Sequence, residues 1–278
     1  MNKVQITNTP QIDLKETQSI MVDILFKVHD ICVKHNIEYY VVYGTLLGAI
    51  RHNGFIPWDD DIDIRMPRAD FNKFLSIAQS ELGDEYFVQT PNSDHKFDIL
   101  HVPYKIRNNN STLIELVNKN YNQGIFIDVF VADYMGSDES EALALKKKTR
   151  LLASMKMSFD LSNEHGITKV IRFSLLCLFR FVPTRFIHNY IVKKAQVLLK
   201  NNKSNSNKMM DGLEYVDSDV WNISDVFPLK KHLFEGKEVY IPNNYDAILK
   251  RNYGNYMELP KESDRIPHGI FYSNKKCY

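Results

Sequence analysis

One stretch limits what this chain can become: YGTLLGAIRHNGFIPWDDDIDI, residues 43–64. Within it Asp59, Asp60, Asp61 and Asp63 crowd into five positions, beside Trp58, Ile62 and Ile64. Carboxylates that close repel one another unless a cation or solvent screens them. Set among large apolar side chains, the cluster asks for a metal ion. Alternate residues of a strand share a face. Asp59, Asp61 and Asp63 are therefore expected on one side and Ile62 and Ile64 on the other. Such a pair of carboxylates suits one or two Mg²⁺ ions, or Mn²⁺ in their place, as hard cations that take oxygen ligands. Asp59 is read as a further ligand or a supporting neighbour, and Asp60 as facing away.

A two-metal site needs another carboxylate from a second strand. Asp128 is the candidate: it is the one acid in FIDVF, where an unpaired charge is costly. A salt bridge to Lys or Arg is the structural alternative. A calcium loop fits the aspartate run poorly. Its sixth position would be Ile64, where glycine is required, and its twelfth Asp70 instead of Glu. Gly44-Thr45 reads as a tight turn that opens a short helix. Backbone N–H groups there could hold a phosphate, with the Thr45 hydroxyl as a further donor. Turn, short helix and acidic strand together form the pattern of a nucleotidyltransferase-like fold.

The rest of the chain is read around that stretch. Residues 16–35 carry apolar side chains at helical spacing. Residues 39–43, 61–66, 86–90, 99–107, 111–116 and 124–131 read as strands, and residues 45–52 and 68–82 as helices. This mixture predicts an α/β (α+β) fold, a mixed-sheet core with an added helical region. Helices are expected over 139–161, 168–181 and 184–200, a loop over 201–207, a strand over 237–241 and a helix over 244–252. The predicted organisation is a catalytic core at 1–136, a helical region at 137–225 facing a membrane or a partner, and a C-terminal segment at 226–278 that packs back on the core.

Charge is balanced, with 35 Lys+Arg against 34 Asp+Glu, so no global field favours nucleic acid, and none is expected as a partner. Cys32, Cys177 and Cys277 are too far apart for a CxxC site or a disulfide framework, which fits a reducing cytoplasm. The first fifteen residues are polar and show no signal peptide, and no apolar run of about 18 residues is present. Residues 170–181 are apolar and flanked by Lys169, Arg185, Lys193 and Lys194, a pattern that suits a helix lying on an anionic surface. A buried helix or a dimer face is the competing reading.

The stretch GTLLGAIRHNGFIPWDDDIDI closely resembles the LicD/fukutin family. Further along, Lys105-Ile106-Arg107 with Thr112 resembles its basic strand, and GIFIDVF, residues 124–130, its third-carboxylate strand. Phe234-Glu235-Gly236, Ile241-Pro242, Tyr245-Asp246, Tyr253-Gly254 and Leu259-Pro260 then follow in the family's order, with Arg265 and His268 after them. The resemblance implies transfer of a phospho-alcohol from a CDP-linked donor to a glycan. Phosphocholine from CDP-choline is the expected group, and a sugar hydroxyl of teichoic acid, lipopolysaccharide or capsule the expected acceptor, with CMP released. The vertebrate ribitol-phosphate relative has a cysteine zinc site in this region. No cysteine cluster exists here, which favours a bacterial type.

On this reading Asp61, Asp63 and Asp128 are catalytic and, with Asp59, metal ligands. Gly44, Thr45, Arg51, Lys105 and Arg107 are expected to contact substrate. Tyr43, Trp58 and Tyr104 lie near the motifs and could face a quaternary ammonium. The acceptor could be lipid-linked, which would place the protein at the inner face of the cell membrane. Two other readings use the same acids differently: a nucleotidyltransferase that releases pyrophosphate, and a non-catalytic glycan- or nucleotide-binding protein.

Overall fold

A computed structural model describes residues 10–277, apart from 101, 116–119, 155–166, 168–169, 171–173, 175–180, 203–205, 216–218 and 268. The first element is α1 (Leu14–Lys34). It starts two residues before the predicted helix because Asp13 caps it, accepting the Glu16 N–H at 2.8 Å. Then come β1 (Tyr40–Val41), α2 (Tyr43–His52), β2 (Asp63–Pro67), α3 (Arg68–Leu82), β3 (Tyr86–Gln89), β4 (Lys105–Asn108), β5 (Thr112–Ile114) and β6 (Phe126–Tyr134). Helices α4 (Glu139–Ser154) and α5 (Thr184–Asn202) follow, then β7 (Lys208–Asp211), β8 (Val220–Asn222) and a single turn, α6 (Ile223–Val226). The hairpin β9 (Lys230–Phe234) and β10 (Lys237–Ile241), helix α7 (Tyr245–Tyr253) and strand β11 (Phe271–Ser273) complete the order.

Among the described residues, seven strands form one mixed sheet in the order β1-β2-β6-β4-β3, with β7 on β6 and β8 on β7. Only β2 and β6 run parallel; the other pairs are antiparallel. β6 is central because its sequence is apolar on both faces except at Asp128 and Asp133. Ile64, Met66, Ile127, Val129 and Val131 join Met21, Ile24, Leu25 and Val28 of α1 and Phe71, Phe74 and Ala78 of α3 in one core. By alternation the opposite face of the same strands carries Asp63, Arg65 and Asp128.

Several predicted elements shift. The first strand is only two residues long, because Tyr43 takes a left-handed φ of 49° and starts α2 there. Gly44 therefore lies inside a helix and not in a turn. The acidic strand begins at Asp63. Residues 59–62 are irregular, since β1 is too short to offer them a ladder partner. Asp59 and Asp61 thus do not share a strand face with Asp63. The expected strand 99–107 begins only at Lys105, and β5 pairs with β11 instead of joining the main sheet. The stretch expected as helical also supplies β7 and β8. The predicted helix 168–181 falls largely outside the described residues, as does the end of 139–161. No helix of the described residues is long and apolar enough to cross a membrane.

Candidate active site

Three strands bring a row of charges together. Asp63 on β2 stands in register with Asp128 on β6, and Lys105 on β4 stands opposite Asp128 from the other side. Lys105 Nζ lies 2.7 Å from Asp128 Oδ1 and 3.7 Å from Glu115 Oε2. The ammonium also sits 3.4 Å from the centroid of the Phe126 ring. The contact with Asp128 is a buried ion pair.

The aspartate loop is pinned from several sides. Asp128 N–H donates to Ile62 O at 2.8 Å, and Val42 N–H to Asp63 O at 3.1 Å. Gln18 Nε2 donates to Asp59 O at 2.8 Å. Asp60 turns away from the other acids: its Oδ2 accepts from Gly269 N–H and from the Tyr272 hydroxyl. Asp63 N–H donates to the buried Thr45 Oγ1 at 2.8 Å. Thr45 Oγ1 acts here as an acceptor that positions Asp63, and its own O–H, the expected phosphate donor, is a separate group that this bond leaves free. Thr45→Val keeps the shape and removes that acceptor. The expected loss is about 1–3 kcal/mol, the cost of a buried unpaired N–H, read as a lower urea midpoint at unchanged slope. An unchanged midpoint would show that the hydroxyl contributes nothing there.

The electrostatics are strained toward a cation. Burial pushes the Asp63 carboxyl well above its usual range, and the charges of Asp61, Asp128 and Asp59 push it further, against Lys105. Burial also raises Asp59 to about 6; hydrogen bonding with Asp61 opposes this and the charge of Asp60 adds to it. Asp128 is raised to about 6 as well, by burial first, with Lys105 pulling it back and Glu115 and Asp61 pushing it up. An all-oxygen donor set and mutual repulsion are the chemistry that a hard cation such as Mg²⁺ or Mn²⁺ would relieve. Among the described residues no three His, Cys, Asp or Glu side chains are grouped so that they could hold a metal ion.

The other expected contact residues have these surroundings. A carboxylate stands beside Gly44, where a phosphate was expected: a Cβ on Gly44 would lie 2.8 Å from Asp59 Oδ2. Only a residue without a side chain lets Asp59 come this close. Arg107 is fully buried. It donates to Gln89 Oε1 and, at 2.7 Å, to Gly124 O, and it is not brought to the carboxylates. Arg51 sits in the last turn of α2 and reaches the carbonyls of Tyr256 and Glu258. Tyr104 is fully buried with its hydroxyl on Glu214, so it is not presented to a ligand; Tyr43 is half-buried, accepts from Arg65 through its hydroxyl and lines a pocket with Arg65 and Trp221. His268 lies outside the described residues.

Two neighbours of the site were not anticipated. Glu115 adds a carboxylate at the end of β5; its only signal was an acid closing an apolar run. Tyr253, at the end of α7, has its hydroxyl pushed up by burial and then by Asp63, Asp59 and Asp61. Its place beside the acids depends on the fold of α7 and could not be read locally.

Crowded, buried carboxylates beside a lysine on a mixed sheet suit phosphate chemistry. Comparison with known proteins narrows the class. Residues 36–165 match the family model described as LicD/FKTN/FKRP, nucleotidyltransferase domain. The lipopolysaccharide cholinephosphotransferase LicD of Haemophilus influenzae is 30% identical over 271 residues, which covers 94% of this chain and 97% of that protein. Shorter matches occur in uncharacterized proteins of Rickettsia typhi, 49% identical over 49 residues (18% of this chain, 16% of that one), and Rickettsia prowazekii, 52% over 42 residues (15% and 16%). The chain belongs to the LicD family and is a phosphotransferase.

Proposed function

We propose that this chain transfers phosphocholine from CDP-choline to a sugar hydroxyl of a cell-surface glycan and releases CMP. The observation that carries the reading is the Asp63–Asp128–Lys105 row, with Asp59 and Asp61 beside it, in a chain matched over 94% of its length by a lipopolysaccharide cholinephosphotransferase. Asp59, Asp61, Asp63 and Asp128 would hold Mg²⁺ or Mn²⁺, which when bound offsets charge on the transferred and leaving phosphates. Asp128, in register with Asp63 at the centre of the row, is placed to take the proton of the attacking hydroxyl. Lys105, 2.7 Å away, keeps its carboxylate form accessible and would be freed toward the diphosphate when Asp128 turns.

The test is CMP release by the purified chain with glycan acceptor across a panel of CDP-alcohols. CDP-choline is expected to support the fastest release, with choline appearing on the acceptor. Preference for another CDP-alcohol would replace the donor assignment. Pyrophosphate released from a nucleoside triphosphate, with no CMP, would support the nucleotidyltransferase reading instead.

A further inference from the structure

Around the C-terminal end of α2 the chain gathers cations without matching anions. Arg51 donates Nη1 to Tyr256 O at 3.0 Å and to Glu258 O at 3.4 Å, and Nε to His52 Nε2 at 3.0 Å. Arg265 donates Nε and Nη2 to Pro260 O at 3.0 and 2.9 Å. Its guanidinium carbon lies 5.0 Å from the centroid of the Trp58 ring. Both guanidinium groups therefore hang from carbonyls of one short stretch, residues 256–260. They are near enough that Arg265, after burial, lowers the pKa of Arg51. The negative end of the α2 dipole accounts for a cation at Arg51, but not for a second one beside it.

The acids of the same stretch do not neutralise the pair. Among the described residues Glu258, Glu262 and Asp264 form no ion pair with either arginine; Glu258 accepts from Asn255 and Asp264 from Ser263. Among the described residues neither arginine forms an ion pair, and Arg51 Nη2 and Arg265 Nη1 have no protein acceptor. Two like charges anchored on one short stretch cost Coulomb energy, which an anion bound by both would turn into attraction. Two planar forks with free N–H edges match phosphate oxygens. Trp58 directly precedes Asp59, so the pair borders the carboxylate loop.

We propose that Arg51 and Arg265 form a phosphate-binding site at the rim of the carboxylate cluster, with the Trp58 indole orienting Arg265. Assigning its occupant rests on the transferase reading above: the phosphate belongs either to the donor's diphosphate or to a phosphorylated acceptor. Arg51 and Arg265 are positioning residues in this scheme, and the bond-making chemistry stays with the aspartates.

Calorimetry with inorganic pyrophosphate, on metal-free protein, tests the site without turnover. The wild type is expected to bind, and Arg265→Gln and Arg51→Gln each to weaken binding about tenfold or more, as for loss of a hydrogen bond to a charged group. Arg265→Lys keeps the charge but loses the fork and is expected to fall between. Circular dichroism checks that each variant is folded. Equal affinity in wild type and Arg265→Gln, or no binding by the wild type, overturns the site. In steady state Arg265→Gln is expected to raise KM far more than it lowers kcat. A rise confined to CDP-choline assigns the site to the donor, and one confined to the acceptor assigns it to an acceptor phosphate. Pyrophosphate binding in a protein that releases no CMP from any CDP-alcohol would keep the site and remove the donor reading.

Discussion

Asp63→Asn is expected to abolish turnover while raising the melting temperature. The loss of activity follows from removing a carboxylate from the centre of the row, and a fall of about 100-fold or more is expected for a group that organises transition-state charge. The gain in stability follows from the same position. Asp63 is buried, and Asp61, Asp128 and Asp59 all disfavour its charge. An amide of nearly the same shape removes that repulsion, worth about 1–2 kcal/mol at neutral pH and a few degrees in Tm.

The pH dependence has a definite sign. A carboxyl with a raised folded pKa binds its proton more tightly in the native state. Its contribution is full below the unfolded value and lost as pH rises through the folded value. Asp59 and Asp128 move from 3.8 to about 6 and Asp63 moves the same way. The wild type should therefore gain stability as pH falls from 6 toward 4, and Asp63→Asn should gain less. Mg²⁺ should raise the melting temperature of the wild type and leave that of Asp63→Asn nearly unchanged. Thermal melts across pH, with and without Mg²⁺, check all three. A variant that melts below the wild type at pH 7 would show that the repulsion is already offset, and wild-type turnover would remove Asp63 from the mechanism.

Arg68→Met is expected to cost about 3–5 kcal/mol, the range for breaking a buried ion pair from one side. Arg68 is 1% exposed and holds two carboxylates. Its Nε and Nη2 donate to Asp133 at 2.7 and 2.9 Å, and Nη1 and Nη2 donate to Glu214 at 2.6 Å each. Glu214 also accepts the Tyr104 hydroxyl at 2.7 Å, and His188 Nε2 lies 2.9 Å from that hydroxyl. One guanidinium thus ties α3, β6, the turn after β7 and, through Tyr104, α5. Burial alone would raise Glu214, but Arg68 outweighs it and holds the carboxyl at about 2, against 4.5 when free. This stability is present above pH 4.5 and is lost as pH falls toward 2. Urea denaturation of Arg68→Met measures the cost. Adding Asp133→Asn and Glu214→Gln should recover part of it, since no buried charge then remains unpaired. A midpoint for Arg68→Met close to that of the wild type would mean that the cluster adds nothing to the fold.

How far the chain could be read in advance depended on how local each signal was. Helix α3 was legible at both ends because Pro67 precedes it and Gly83, at φ 71°, stops it. Strand β10 alternates and ends before Pro242, so its bounds were plain. Asp128 stood out as an isolated acid in an apolar run, and the sheet sets it opposite Asp63. Strands β7 and β8 gave no such cue. KMMD and VWN are too short to show a period, and their pairing with β6 is long-range. Arg107 and Lys105 share a strand, yet one is sealed among Gln89 and Gly124 and the other faces Asp128. The Arg68–Glu214 contact spans 146 positions, a separation at which residue type alone carries no information.

The strap from Asp60 to Gly269 and Tyr272 has a consequence for the order in which the protein matures on the ribosome. Tyr272 belongs to β11, whose partner β5 was made long before. All seven strands of the main sheet precede the two residues that donate to Asp60. The loop is locked only after residue 273 has left the exit tunnel. A chain stopped before residue 269 would keep the bonds that Gln18, Val42 and Thr45 make to the loop and lack only the two that hold Asp60.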